Sequence, residues 1–127
     1  MIRVAIAEDH PEMRVALRLL LKLSGNMEIV GEMSNGLEAV DCTKEFQPDV
    51  LVMDVRMPGL DGLKATRKIM ELAVGTRVVL MSSQRGSSIA MRAIEAGAQG
   101  FVPKDEVAAF LLLAIETVHR GETFFAP

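Results

Sequence analysis

Pro48-Asp49-Val50-Leu51-Val52-Met53-Asp54 sets a helix stop, a continuously apolar run and a carboxylate in immediate succession. An apolar run this short, bounded by turn residues, reads as a strand. Its lack of polar alternation predicts burial on both faces, as when helices cover both sides of a sheet. Pro58, Gly59 and Asp61-Gly62 mark the loop that follows. Leu63 to Ala73 then reads as a helix that stops near Gly75.

The same strand–loop–helix unit recurs in both directions. Arg3 to Ala7 (RVAIA) is a buried strand, and Pro11 opens a helix to Leu23 that Gly25-Asn26 breaks. Glu28 to Met33 is the second strand. Asn35 and Glu38 have capping-box spacing before a helix to about Phe46, with Glu38 expected to reach back to the cap. Arg77 to Met81 is the fourth strand, Ser82 to Ser88 a polar loop, and Ile89 to Ala96 a short helix closed by Gly97. Phe101-Val102 lies in the fifth strand, and Asp105 is placed to cap a last helix to about His119. Alternating strands and helices with short connections predict an open parallel α/β sheet, helices on both faces and right-handed crossovers.

A chain of 127 residues suits one domain. Half of it is hydrophobic with no Trp or Tyr, so the core must be aliphatic. Fourteen Lys and Arg against 17 Asp and Glu leave a net charge of -3, without the basic surface that nucleic-acid binding needs. The single Cys42 has no internal partner and reads as a small buried residue suited to a reducing compartment. No signal-peptide layout or membrane-length apolar run is visible, so a cytoplasmic location and no membrane association are expected.

In open α/β sheets, ligands bind beyond the carboxyl ends of the strands. There the chain places Glu8 and Asp9 after strand one, Asp54 at the end of strand three, Ser82 after strand four and Lys104 after strand five. With strand order 2-1-3-4-5, the three carboxylates meet at the switch point. Clustered carboxylates repel one another, and a hard divalent cation such as Mg²⁺ or the Lys104 ammonium relieves this. Anion, cation and hydroxyl together suit phosphoryl transfer. Singly, each residue has a blander reading: helix-start acids, a turn-forming Asp, a loop hydroxyl, a solvated lysine.

Ala7-Glu8-Asp9-His10-Pro11, Pro48 to Asp54, Met57-Pro58-Gly59-Leu60-Asp61-Gly62, Val79-Leu80-Met81-Ser82-Ser83 and Gly100-Phe101-Val102-Pro103-Lys104 together carry a family resemblance. In order and spacing the chain resembles the receiver domain of two-component response regulators over nearly its whole length. That resemblance implies a flavodoxin-like (βα)5 doubly wound sheet with strand order 2-1-3-4-5. It makes Asp54 the phosphoacceptor. Asp9, Asp54 and the Arg56 backbone carbonyl become Mg²⁺ ligands, with Glu8 holding a metal-bound water. Ser82 and Lys104 would contact phosphoryl oxygens, and Phe101 would be an aromatic switch coupled to Ser82. Arg56 and Gln84, each two residues beyond a site residue, would modulate phosphoryl lifetime. The implied partner is a sensor histidine kinase, and the implied output is a changed surface over the fourth helix, fifth strand and fifth helix. Such a domain catalyses only its own phosphorylation and dephosphorylation, so it is not an enzyme in the turnover sense.

His10-Pro11, Lys104-Asp105 and Arg120 to Phe125 look like the NarL/FixJ-type group, whose receivers precede a LuxR-type helix-turn-helix. Residues 1–127 are therefore expected to be a single receiver domain cut before a DNA-binding effector domain that controls transcription. The tail Phe124-Phe125-Ala126-Pro127 is read as the point of truncation. Leucine-rich first and last helices offer a homodimer patch. Pro103-Lys104-Asp105 departs from the family's usual Lys-Pro, which leaves the Lys104–Asp105 peptide isomer to be determined. Two other readings fit less well. A Mg²⁺-dependent aspartyl phosphatase usually carries a second Asp where Arg56 stands. A nucleotide or flavin binder would want a Gly- or Ser/Thr-rich loop in place of Glu8-Asp9-His10-Pro11.

Overall fold

A computed structural model describes residues 1–126. Chain order is β1 (Ile2–Ala7), α1 (Pro11–Ser24), β2 (Met27–Met33), α2 (Gly36–Phe46), β3 (Val50–Asp54), α3 (Gly62–Leu72), β4 (Arg77–Ser82), α4 (Ser87–Ala96), β5 (Gly100–Pro103), a 3₁₀ turn (Lys104–Glu106), α5 (Val107–His119) and β6 (Phe124–Phe125). All strand pairs are parallel, in the order β2-β1-β3-β4-β5-β6. The doubly wound α/β architecture and the order of its first five strands follow the sequence expectation.

Alternate residues of the central strands feed two separate cores. Val50, Val52, Val79 and Met81 face α1 and α5, where Leu17, Leu21, Leu111 and Ile115 are buried. Leu51, Met53, Val78 and Leu80 face the layer holding Ile69 of α3 with Ile89 and Ala93 of α4. Both faces of the sheet are thus covered, which accounts for the unbroken apolar runs. Cys42 is buried in the second layer, its thiol pushed up by that burial and by Glu45.

Three local expectations need correction. The tail forms a sixth strand, with Phe124 opposite Gly100, Phe125 opposite Phe101, and Ala126 N donating to the Phe101 carbonyl at 3.0 Å. Phe124 packs on the α5 side, 6.1 Å from the Phe110 ring, and Phe125 on the other side. Two residues give too little alternation to signal a strand. Pro127 of that tail lies outside the described residues.

Asp105 does not cap α5: it sits inside the 3₁₀ turn, and α5 begins two residues later without a side-chain cap. Asn35 does cap α2, accepting from Glu38 N at 2.9 Å. The Glu38 carboxylate, however, accepts from Ser34 N and Oγ, one residue before the cap. Every described peptide bond is trans, Lys104–Asp105 included. Among the described residues no helix is long and apolar enough to cross a membrane.

Candidate functional site

The carboxyl ends of β1, β3, β4 and β5 lie side by side, because the strands between them are paired in register. That alignment brings Glu8, Asp9, Asp54, Ser82 and Lys104 to one edge. Glu8 is fully buried, and Asp54 and Ser82 are each 3% exposed. Lys104 reaches inward from the 3₁₀ turn. Its Nζ donates to Asp54 Oδ2 at 2.7 Å and lies 2.7 Å from Glu8 Oε1, there outside hydrogen-bond geometry. Arg56 N donates to Asp54 Oδ1 at 3.2 Å, while its side chain is exposed.

Backbone packing sets these positions as firmly as the side chains do. Gly62, the first residue of α3, lies so close to the Asp54 carbonyl that a Cβ would collide with it. Asp61 caps that helix by accepting from Lys64 N at 2.9 Å. Val55 N donates to the Met81 carbonyl at 2.8 Å, tying the chain beyond Asp54 to β4.

The charges are unbalanced. Burial raises the Asp54 pKa, with help from the Glu8 charge, and Lys104 and the Arg56 N–H offset this only in part. Burial also acts to raise Glu8, but its close ion pair with Lys104 and the hydrogen bonds from His10 outweigh it, so Glu8 lies below its ordinary value. Burial acts to lower Lys104, yet Asp54 and Glu8 hold it above its usual value.

One atom each of Glu8, Asp9, His10 and Asp54 falls within a span of 4.8 Å. Asp9 Oδ1 is buried without a hydrogen-bond partner, and Glu8 Oε1 has only its off-axis ion pair. Such oxygens are what a hard divalent cation takes as ligands. The residue set therefore fits a metal.

Ser82 Oγ accepts from Gln84 N at 3.0 Å, and among the described residues its own hydrogen has no acceptor. The Gln84 side chain is exposed. Phe101 is 1% exposed, inside the core layer with Leu80, Ile89 and Ala93. In this conformation it is therefore already turned inward.

Two residues beyond the sequence-based site set also belong to this neighbourhood. His10 Nδ1 lies 3.2 Å from Glu8 Oε2 and 3.3 Å from Asp9 Oδ1, and its backbone N donates to Glu8 Oε2. Arg14 Nη1 donates to the Glu8 carbonyl at 2.7 Å. His10 was visible as part of a motif. Arg14 looks like any arginine on an amphipathic helix, and nothing in the sequence marks its reach.

Comparison with known proteins gives a consistent answer. The family model for the response regulator receiver domain matches residues 4–116. A putative transcriptional regulator of Pseudomonas aeruginosa is 38% identical over 125 residues, covering 98% of this chain and 60% of that protein. The transcriptional regulatory protein DesR of Bacillus subtilis is 38% identical over 127 residues, covering 100% of this chain and 63% of its own length. This chain thus spans less than two thirds of either relative. Among solved structures, the receiver domain of the putative response regulator NarL from Mycobacterium tuberculosis superposes with a TM-score of 0.91 at 34% identity, covering 95% of this chain and 98% of that one. A LuxR-family two-component response regulator from Aurantimonas reaches 0.95 at 34% identity, covering 100% and 91%.

Proposed function

The chain belongs to the response regulator receiver domain family, and from that premise we propose that Asp54 accepts a phosphoryl group from a sensor histidine kinase or a small phosphodonor. The observation that carries this reading is the buried Asp54 carboxylate beside Lys104 Nζ at 2.7 Å, with the unsatisfied Asp9 oxygen in the same cluster. An Asp54 oxygen forms the new P–O bond as the donor's P–N bond breaks and its imidazole keeps the electron pair. With an acyl phosphate, a P–O bond breaks and the carboxylate leaves with the pair.

Glu8, Asp9, Asp54 and the Arg56 carbonyl are the groups that would hold Mg²⁺, with Glu8 acting through a bound water; Mg²⁺ supplies positive charge against the phosphoryl oxygens. Lys104 exchanges its carboxylate contacts for a phosphoryl oxygen. Ser82 donates its free O–H to another and can keep the bond it accepts from Gln84 N. The exposed Arg56 and Gln84 side chains stand where they can slow or guide the water that ends the state.

The output is a shifted equilibrium of the α4, β5 and α5 surface, in which Ser82 and Phe101 move together. Because Phe101 is inward here, its motion is tested by whether phosphorylation changes its rotamer population at all. The exposed Val15, Leu19 and Leu23 of α1 and Leu113 of α5 are the apolar candidates for a homodimer patch. Relatives named as transcriptional regulators are longer than this chain. They support a cytoplasmic regulator in which residues 1–127 form the receiver and DNA is bound by a separate effector domain. The chain promotes its own phosphorylation and dephosphorylation and has no turnover substrate.

Mass spectrometry after treatment with acetyl phosphate and Mg²⁺ tests the assignment. One added phosphoryl group is expected, absent in Asp54→Asn and in chelator-treated protein. Label retained by Asp54→Asn refutes the acceptor.

A further inference from the structure

Arg85 is the third residue after Ser82, in the exposed loop between β4 and α4. Its side chain crosses to the 3₁₀ turn that begins at Lys104. Nη1 donates to both Asp105 oxygens at 2.8 and 2.7 Å, and Nη2 donates to Glu106 Oε1 at 2.9 Å. Residues 20 and 21 positions apart are thereby held by one guanidinium.

Lys104 is tied to Asp54 and Glu8, and Gln84 N to Ser82 Oγ, but neither segment has a side-chain helix cap: Gly86 starts α4 without one, and the 3₁₀ turn has none either. Glu106 Oε2 is buried and makes no hydrogen bond, so among the described residues Arg85 is that carboxylate's only ion-pair partner. Losing Arg85 would leave Glu106 without an ion-pair partner in the turn that carries Lys104.

We propose that Arg85 is a positioning residue, clasping the Ser82 loop to the Lys104 turn so that both groups meet a phosphoryl group in fixed relation. The inference rests on the phosphoacceptor reading above. Exposed ion pairs contribute little to global stability, so the clasp acts on alignment rather than on folding. Arginine suits the task because its planar fork can serve two carboxylates at once, which a lysine point charge does less well.

Beryllofluoride, a phosphoryl mimic, measures this at equilibrium. Its apparent affinity in Mg²⁺ is read by ¹⁹F NMR on the full chain at low ionic strength. Arg85→Gln is expected to weaken binding about threefold or more, with an unchanged melting temperature in the absence of the anion. Arg85→Lys should recover part of the loss, and raised salt should shrink the gap between wild type and Arg85→Gln. In an Asp105→Asn, Glu106→Gln background, Arg85→Gln should cost nothing further. Wild-type affinity in Arg85→Gln, or an equal loss in that background, overturns the clasp while leaving Asp54 as acceptor. Absence of Mg²⁺-dependent binding in wild type, or full binding in Asp54→Asn, overturns both.

Discussion

Asp54 carries its charge into a place that disfavours it. Three carboxylates, from Glu8, Asp9 and Asp54, share one edge with the single ammonium of Lys104, and burial raises the Asp54 pKa. A carboxyl whose folded pKa exceeds its unfolded one binds more protons folded than unfolded, so its share of stability falls as pH rises through that window. Asp54→Asn is therefore expected to raise unfolding stability at neutral pH by on the order of 1 kcal/mol in chemical denaturation. The gain should fade once acid protonates the wild-type carboxyl. A destabilised Asn variant at neutral pH would contradict this electrostatic reading. Glu8 behaves oppositely: its lowered pKa stabilises the fold above the ordinary glutamate range and is lost on acidification. The raised Lys104 pKa adds stability that disappears only as alkali passes through it. Asp54, Glu8, Asp9, Ser82 and Lys104 were legible because each ends or follows a strand, and strand ends share an edge. Arg14 and Arg85 were not, because a long side chain's partner depends on how two loops meet in space.

At the scale of elements, the site depends on how closely α3 starts against β3. Gly62 has ordinary helical surroundings but no room for a Cβ against the Asp54 carbonyl. Gly62→Ala must push the first turn of α3 away or rotate the end of β3. Overpacking of this kind costs about 1–3 kcal/mol, and urea denaturation should register it. The same substitution should slow phosphoryl uptake from acetyl phosphate beyond any loss of folded protein. Unchanged uptake would mean that the end of β3 tolerates the shift. The sequence marked Asp61-Gly62 as a turn, which was right for the chain direction and silent about the neighbour. Element types were readable from apolar runs and Gly/Pro punctuation. The slipped partner of Glu38 and the strand Phe124–Phe125 were not, since each is decided by one or two hydrogen bonds to a flanking residue or to distant backbone, and the 3₁₀ turn at Asp105 has no side-chain cap to mark it.

Across the whole molecule, the two cores are independent in composition but share every central strand, so a change on one sheet face is felt on the other through the backbone. Exposed apolar residues occur on several helices, and α1 carries a regular row of them: Val15, Leu19 and Leu23 recur every fourth residue while Leu17 and Leu21 face inward. The sheet's two margins are finished differently. On β2, an extra residue at Val30 breaks register with β1, and exposed Glu28 and Glu32 flank it. On the other side, β6 covers part of the four-residue β5 and presents only a two-residue margin of its own. An unpaired strand margin is a template for another chain, and kinks, charge and shortness are the usual protections. Tail pairing therefore guards against edge-to-edge aggregation. Removing Phe124 to Ala126 should leave a chain that folds yet gains scattering mass with concentration and time. A truncated chain that stays monodisperse would show that β5 needs no such cover.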